Sequence, residues 1–210
     1  MASQSDLSEQ EQEQVTARRA ALPPLGSIIN LDDFEKAAEH VLGSDSKAFA
    51  YFFSTADDGK AALNSRKAFD FVQFLPRVLV PVGKVDIKTC FLGTEVSVPV
   101  FIGMSTRFNT MTPLIWQTAP AGEARLGHPN GEINLTRGAA KRGALQTISN
   151  HSSFSLTDIL AARDQAVQEG LGKPVLWFQL YVERDRKISE ETVRKAVECV
   201  LSQSVVLGGS

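Results

Sequence analysis

Hydrophobic positions change their spacing partway along the chain. Asn30 stands as a helix cap before Leu31, Phe34, Ala38, Val41 and Leu42, which recur at helical spacing until Gly43 ends the run. A second helix is predicted over Ser46 to Ser54 and a third over Lys60 to Phe74, with Pro76 beyond it. From Arg77 to Val100 the chain is Val-rich and without helical period, which predicts irregular structure and short strands. Pro99 to Ile102 reads as a buried strand. Strands and helices then alternate. Glu132 to Lys141 is helical and stops at Gly143, and Ala144 to Ile148 is a strand. Ser155 caps a helix with Asp158 placed for a capping box, and Pro174 to Val182 is a strand. Ser189 caps a last helix with Glu190 and Glu191 in its first turn. Alternation of this kind predicts a parallel sheet, either doubly wound or a β/α barrel, and periodicity does not choose between them.

The densest chemistry lies in WFQLYVERDR, Trp177 to Arg186. Trp177, Phe178, Leu180 and Val182 are strand formers, and Gln179 and Tyr181 interrupt them two positions apart, so both side chains share one face. On a buried strand a Gln and a Tyr need hydrogen-bond partners. Neighbouring backbone can supply them, and so can a ligand. His128, beside Pro129 in a turn that opens a helix, reads as a structural histidine bonded to backbone.

Composition narrows the classes. The chain has 210 residues, 43% apolar and 22% charged, with a net charge of −2. That balance predicts no attraction to nucleic acid or membrane. Two cysteines, Cys90 and Cys199, make no disulfide framework and fit a reducing, cytoplasmic location. Residues 1–26 are rich in Gln, Glu and Ala and end in Pro23-Pro24, which predicts a solvated leader, partly helical, ahead of a domain over 27–210.

Four segments recur in one order: FAYFFSTADD, FLPRVL, APAGEARLGHPNGE and WFQLYVERDR. In that order and spacing, from about Leu22 to about Val197, the chain resembles the FMN-dependent 2-hydroxy acid dehydrogenases and oxidases. These include glycolate oxidases, mandelate dehydrogenases and flavocytochrome L-lactate dehydrogenases. The resemblance implies a TIM-type (β/α)8 barrel, FMN as cofactor, and oxidation of an L-2-hydroxy acid such as lactate or glycolate to a 2-oxo acid. It implies that Tyr51 and Tyr181 bind substrate. It also implies that Pro120, Ala121, Gly122, Ser149 and Gln179 bind the flavin, with no metal. Tyr51 matches the first of two adjacent tyrosines common in the family, and Phe52 stands for the second. His151 falls where members border the substrate pocket with varied residues. The family's catalytic histidine, its companion arginine, a lysine and the phosphate site come from later strands, so the expectation is that they lie beyond Ser210.

The pattern breaks twice. Between Ile102 and the APAG turn, residues 103–118 form an atypical insertion where such a connection normally takes about 2–6 residues. Gly103-Met104-Ser105 can be encoded with a donor-like GTATGT and Thr118-Ala119 with an acceptor AG, so a retained intron would explain the interruption. Residues 198–210 also depart from the family. A barrel closes with eight strands and about 250 residues. The chain is therefore expected to be about the N-terminal half of the barrel domain and an inactive form, with homo-oligomer formation possible. The alternative is a non-enzymatic half-barrel that pairs with another protein through its open edge. Full-length transcripts are expected to join the codons for Ile102 and Ala119 directly; a main message that retains the 103–118 coding segment overturns the intron reading.

Overall fold

A computed structural model of the chain describes residues 9–44, 46–55, 57–103, 123–200 and 206–209. The backbone divides into two compact units, Met1–Leu79 and Val80–Ser210.

The first unit is helical: α1 is Glu9–Ala20, α2 Leu31–Leu42, α3 Lys47–Phe53 and α4 Lys60–Ala68. Local hydrogen bonds set its boundaries. Asn30 Oδ1 accepts from Asp33 N at 2.8 Å and opens α2, and Ser46 Oγ accepts from Phe49 N at 3.0 Å and opens α3. Arg18 of α1 donates to the Leu42 carbonyl at the end of α2, where a helix leaves acceptors unpaired. The helix predicted to reach Phe74 ends sooner. α4 stops at Ala68, and a single 3-10 turn, Phe69–Phe71, follows. Phe69, Phe71, Phe74 and Leu75 are all strongly exposed, so no tertiary face extends the helix.

The second unit begins with an antiparallel hairpin, β1 Thr89–Phe91 and β2 Thr94–Val96. A parallel sheet follows: β3 Phe101–Ile102, α5 Gly131–Arg142, β4 Leu145–Ile148, α6 Leu156–Gln168, β5 Val175–Tyr181, α7 Arg186–Val200 and β6 Val206–Gly209. The strand order is β3-β4-β5-β6, so each strand lies beside its predecessor in sequence. The sheet is open, with β3 and β6 at its edges. β3 is not the buried strand expected over Pro99 to Ile102: it is a two-residue edge strand, and Phe101 is 38% exposed.

Alternation sorts the side chains of β4 and β5 onto two faces. Ile148, Leu176 and Phe178 pack against Ile159 and Leu160 of α6 and Ala196 of α7. On the opposite face Leu145 and Trp177 pack with Val96, beside Phe91 and Val175, so the hairpin covers the end of the sheet where the strands begin. Burying each large side chain stabilises the unit by roughly 1.5–3 kcal/mol. At the end of α5, Gly143 takes φ 62°, and a Cβ there would lie 2.5 Å from Ser97 Oγ, so glycine is needed for both conformation and space. On the outer surface Arg137 of α5 and Gln165 of α6 both bond the carboxylate of Glu169, and the Arg137 hydrogen bond holds that carboxyl below its usual range.

One helix start differs from expectation. Ser189 does not cap α7, which begins three residues earlier. Asp185 Oδ1 accepts from Lys187 N at 3.0 Å in the capping role, and Ser189 Oγ instead accepts from Glu183 N at 2.8 Å. The Asp in VERDR caps as well as a Ser does, and it comes first in the chain.

Ile159 is fully buried among both strands and α7, whereas Ser155 caps α6 at the surface by accepting from Asp158 N. Ile159→Ala is expected to cost about 2–5 kcal/mol of unfolding free energy and Ser155→Ala about 1 kcal/mol, read from urea midpoints at unchanged slope. Equal costs would contradict the assignment of the core to this face.

Candidate functional site

At the C-terminal ends of β4 and β5 the face opposite the helices turns from apolar to polar. The last register pair of these strands is Ile148 with Phe178. One step further, Ser149 and Gln179 stand level with each other on the face that carries Leu145, Thr147, Val175 and Trp177. Both are buried, with Gln179 only 2% exposed.

Their hydrogen bonding differs. Ser149 Oγ accepts from His151 N at 3.1 Å, and Ser152 Oγ donates to the Ser149 carbonyl at 2.8 Å, which closes a tight turn after the strand. A hydroxyl that accepts one N–H still has its own proton to donate. Gln179 Oε1 is buried with no partner. Leaving such an acceptor unpaired costs about 1–3 kcal/mol. Strand backbone therefore does not satisfy this glutamine.

The loop after β4 is tied to the segment that leads into α5. Glu123 N donates to the His151 carbonyl at 3.2 Å, and Arg125 N to Ser153 Oγ at 3.2 Å. The Arg125 guanidinium lies over the Phe154 ring, 5.1 Å from its centre. Between them sits a residue that the sequence pattern does not single out. Glu132, in the first turn of α5 and 2% exposed, accepts through one oxygen from Ala124 N at 3.2 Å and Ser153 N at 2.8 Å. A glutamate at this place reads as a dipole partner of its own helix; its reach across to two loops is a tertiary fact.

Of the residues singled out in sequence, Ser149 and Gln179 come together here. Tyr51 is half-buried on α3 in the helical unit, edge-on to Phe52 at 5.0 Å between ring centres. Nearby, Asp58 pairs with Lys60 at 2.9 Å on the surface. Tyr181 is the last residue of β5, and its backbone pairs in register with Gly209. Pro120, Ala121 and Gly122, with most of the 103–118 insertion, lie outside the described residues. His128 bonds backbone, as expected: its Nδ1 accepts from Asn130 N at 3.0 Å and meets Asn134 Nδ2 at 3.1 Å. Among the described residues no cluster of three His, Cys, Asp or Glu could hold a metal, and no helix is long and apolar enough to cross a membrane. A cavity of about 290 Å³ is lined by Ile148, Ser149, Ser152, Phe178, Thr192 and Lys195, so it reaches the Ser149 turn from the helix side of the sheet and does not include Gln179.

A parallel sheet with polar groups gathered at its C-terminal end places ligands there. Residues 43–207 match the family model for FMN-dependent dehydrogenases. The chain belongs to that family. It is 36% identical over 176 residues to an L-lactate dehydrogenase (cytochrome) of Wickerhamomyces anomalus, covering 84% of this chain and 26% of that protein. It is 30% identical over 172 residues to glycolate oxidase 1 of Zea mays, covering 82% of this chain and 39% of the oxidase. Among solved structures it superposes on a flavocytochrome b2 mutant with benzoylformate at a TM-score of 0.74 and 30% identity, over 96% of this chain and 46% of that one. A mandelate oxidase with (S)-4-hydroxymandelic acid follows at a TM-score of 0.66 and 28% identity, over 85% and 42%. The chain therefore spans less than half the length of these relatives. FMN is the cofactor of the FMN-dependent dehydrogenases, and the α/β sheet described above is an open part of their barrel.

The site has room in its chemistry for a flavin. The pyrimidine edge of an isoalloxazine offers an N–H between two carbonyls, and the unpaired Gln179 amide oxygen lacks such a donor. Gln179→Met keeps the volume and removes the orphaned amide. In the ligand-free chain it is expected to raise unfolding free energy by about 1 kcal/mol in urea titration; a loss of stability would mean that the amide is already satisfied.

Proposed function

We propose that the protein acts in oxidation of a small L-2-hydroxy acid, lactate- or glycolate-like, to the 2-oxo acid. The observation that carries this reading is the buried, unpaired Gln179 oxygen level with Ser149 at the C-terminal end of a parallel sheet, in a chain of the FMN-dependent dehydrogenase family. The lactate dehydrogenase and glycolate oxidase names of the relatives support the substrate class.

FMN, when bound, supplies the ring that accepts the hydride equivalent from the substrate carbon. The chain's own residues hold the reactants. Gln179 accepts from the N–H of the pyrimidine edge, which removes its desolvation penalty only in the loaded state. Ser149 donates its hydroxyl proton to the same ring system while His151 N keeps its oxygen oriented. Pro120, Ala121 and Gly122 supply backbone contact to the flavin. Tyr51 and Tyr181 donate their phenol protons to substrate oxygens, Tyr51 to the carboxylate. The reaction also calls for a base that takes the hydroxyl proton, a task suited to an imidazole, and for a guanidinium that clamps the carboxylate, and none of the residues assigned here fills either role. On this reading the 210 residues alone bind FMN weakly and do not turn over.

Titrating FMN against the purified chain and following flavin fluorescence tests the assignment. Saturable quenching is expected, weakened about tenfold by Gln179→Met, the worth of one well-placed hydrogen bond, with no reduction of the flavin by added L-lactate or glycolate. Absence of quenching would sink the flavin site, and bleaching by either acid would mean that the 210 residues hold a base of their own.

A further inference from the structure

The Glu132 carboxylate is not used by any contact proposed above, yet it is among the most deeply buried charged groups described. Among the described residues no cation pairs with it. Its charge is held by two backbone N–H donors, Ala124 at 3.2 Å and Ser153 at 2.8 Å, and by its place in the first turn of α5. Its second oxygen is buried and unpartnered. A protein does not gain stability from a lone buried carboxylate with half its acceptors empty. The two donors belong to different loops. Ala124 opens the short turn that leads toward α5, and Ser153 directly follows the turn that Ser152 closes onto Ser149. The second of these carries Ser149, assigned above to the flavin.

Backbone geometry is arranged around the same contact. Gly131, immediately before Glu132, has φ 28°, and a Cβ there would lie 2.8 Å from Arg125 N. Only glycine lets the start of α5 approach the 124–126 turn closely enough for the carboxylate to reach both amides. The parallel ties, Glu123 N to His151 O and Arg125 N to Ser153 Oγ, run between the same loops.

We infer that Glu132 is a positioning residue of the flavin site: one carboxylate oxygen staples the 124–126 turn to the loop after β4 and so holds the Ser149 turn in place for its cofactor contact. The inference rests on the flavin reading of these loops. It gives the buried charge a role that an apolar residue of the same size could not fill, because an apolar side chain accepts no N–H.

The test is carried out on the full 210-residue chain with FMN as the probe, comparing wild type, Glu132→Ala and Glu132→Gln. Amide hydrogen exchange reports the loops, and fluorescence quenching reports FMN affinity. In Glu132→Ala the Ala124 and Ser153 amides are expected to exchange at least about tenfold faster, and the FMN dissociation constant to rise by a similar factor, as for loss of a charge-assisted hydrogen bond. Exchange in β5 stays unchanged. Glu132→Gln, which keeps one acceptor oxygen, restores most of both. Unchanged FMN affinity in Glu132→Ala, faster exchange throughout β5, or failure of Glu132→Gln to rescue each overturns the positioning role. Wild type that does not quench FMN fluorescence overturns the flavin reading instead, which keeps the two failures apart.

Discussion

Burial of β5 on both faces is the constraint on which the rest of this unit depends. A strand covered on one side only can turn its polar residues to water. β5 has α6 and α7 against Leu176 and Phe178 and the hairpin residue Val96 against Trp177, so every side chain from Leu176 to Leu180 is buried. Gln179 is polar by sequence and buried by topology, and the conflict between the two creates the site. The apolar contacts below it hold the strand in place strongly enough that one unpaired amide is tolerated.

Much of this was legible in the chain before any coordinates. The caps at Asn30 and Ser155 are local, because each side chain bonds a backbone N–H three residues on. The alternation of β4 and β5 with α5, α6 and α7 was equally clear, since helix and strand periods differ. Gln179 stands out as a polar break within an apolar strand, and Ser149 through the family resemblance. What failed to show was tertiary. The end of α4 at Ala68 reflects the absence of a packing partner for the phenylalanines beyond it. The start of α7 reflects a contest between Asp185 and Ser189 that propensity does not decide. Phe101 is exposed because β3 is an edge, and edge status is a property of the sheet.

Glu132 shows the same limit at the site itself. A Glu in a first helical turn is commonplace, and nothing in HPNGE separates a solvated dipole partner from a buried bridge between two loops. The neighbouring Gly131 was the available signal, because a glycine ahead of a helix can mark close backbone approach, and only the distance to Arg125 N shows that it does. The match to FMN-dependent dehydrogenases and the geometry therefore contribute different things. The family says which cofactor belongs at this end of the sheet, and the geometry says which side chains are left with unmet bonding capacity there.

The pairing of β5 with β6 has a consequence of its own. Opposite Leu180 and Tyr181 the partner residues are Gly208 and Gly209, which have no side chains to interlock with their neighbours. At these two positions registry rests on main-chain hydrogen bonds without side-chain interlocking from the partner strand. The sheet beyond Gln179 thus ends in an edge whose last two rungs are bare backbone, the kind of edge on which a strand is held by its main chain.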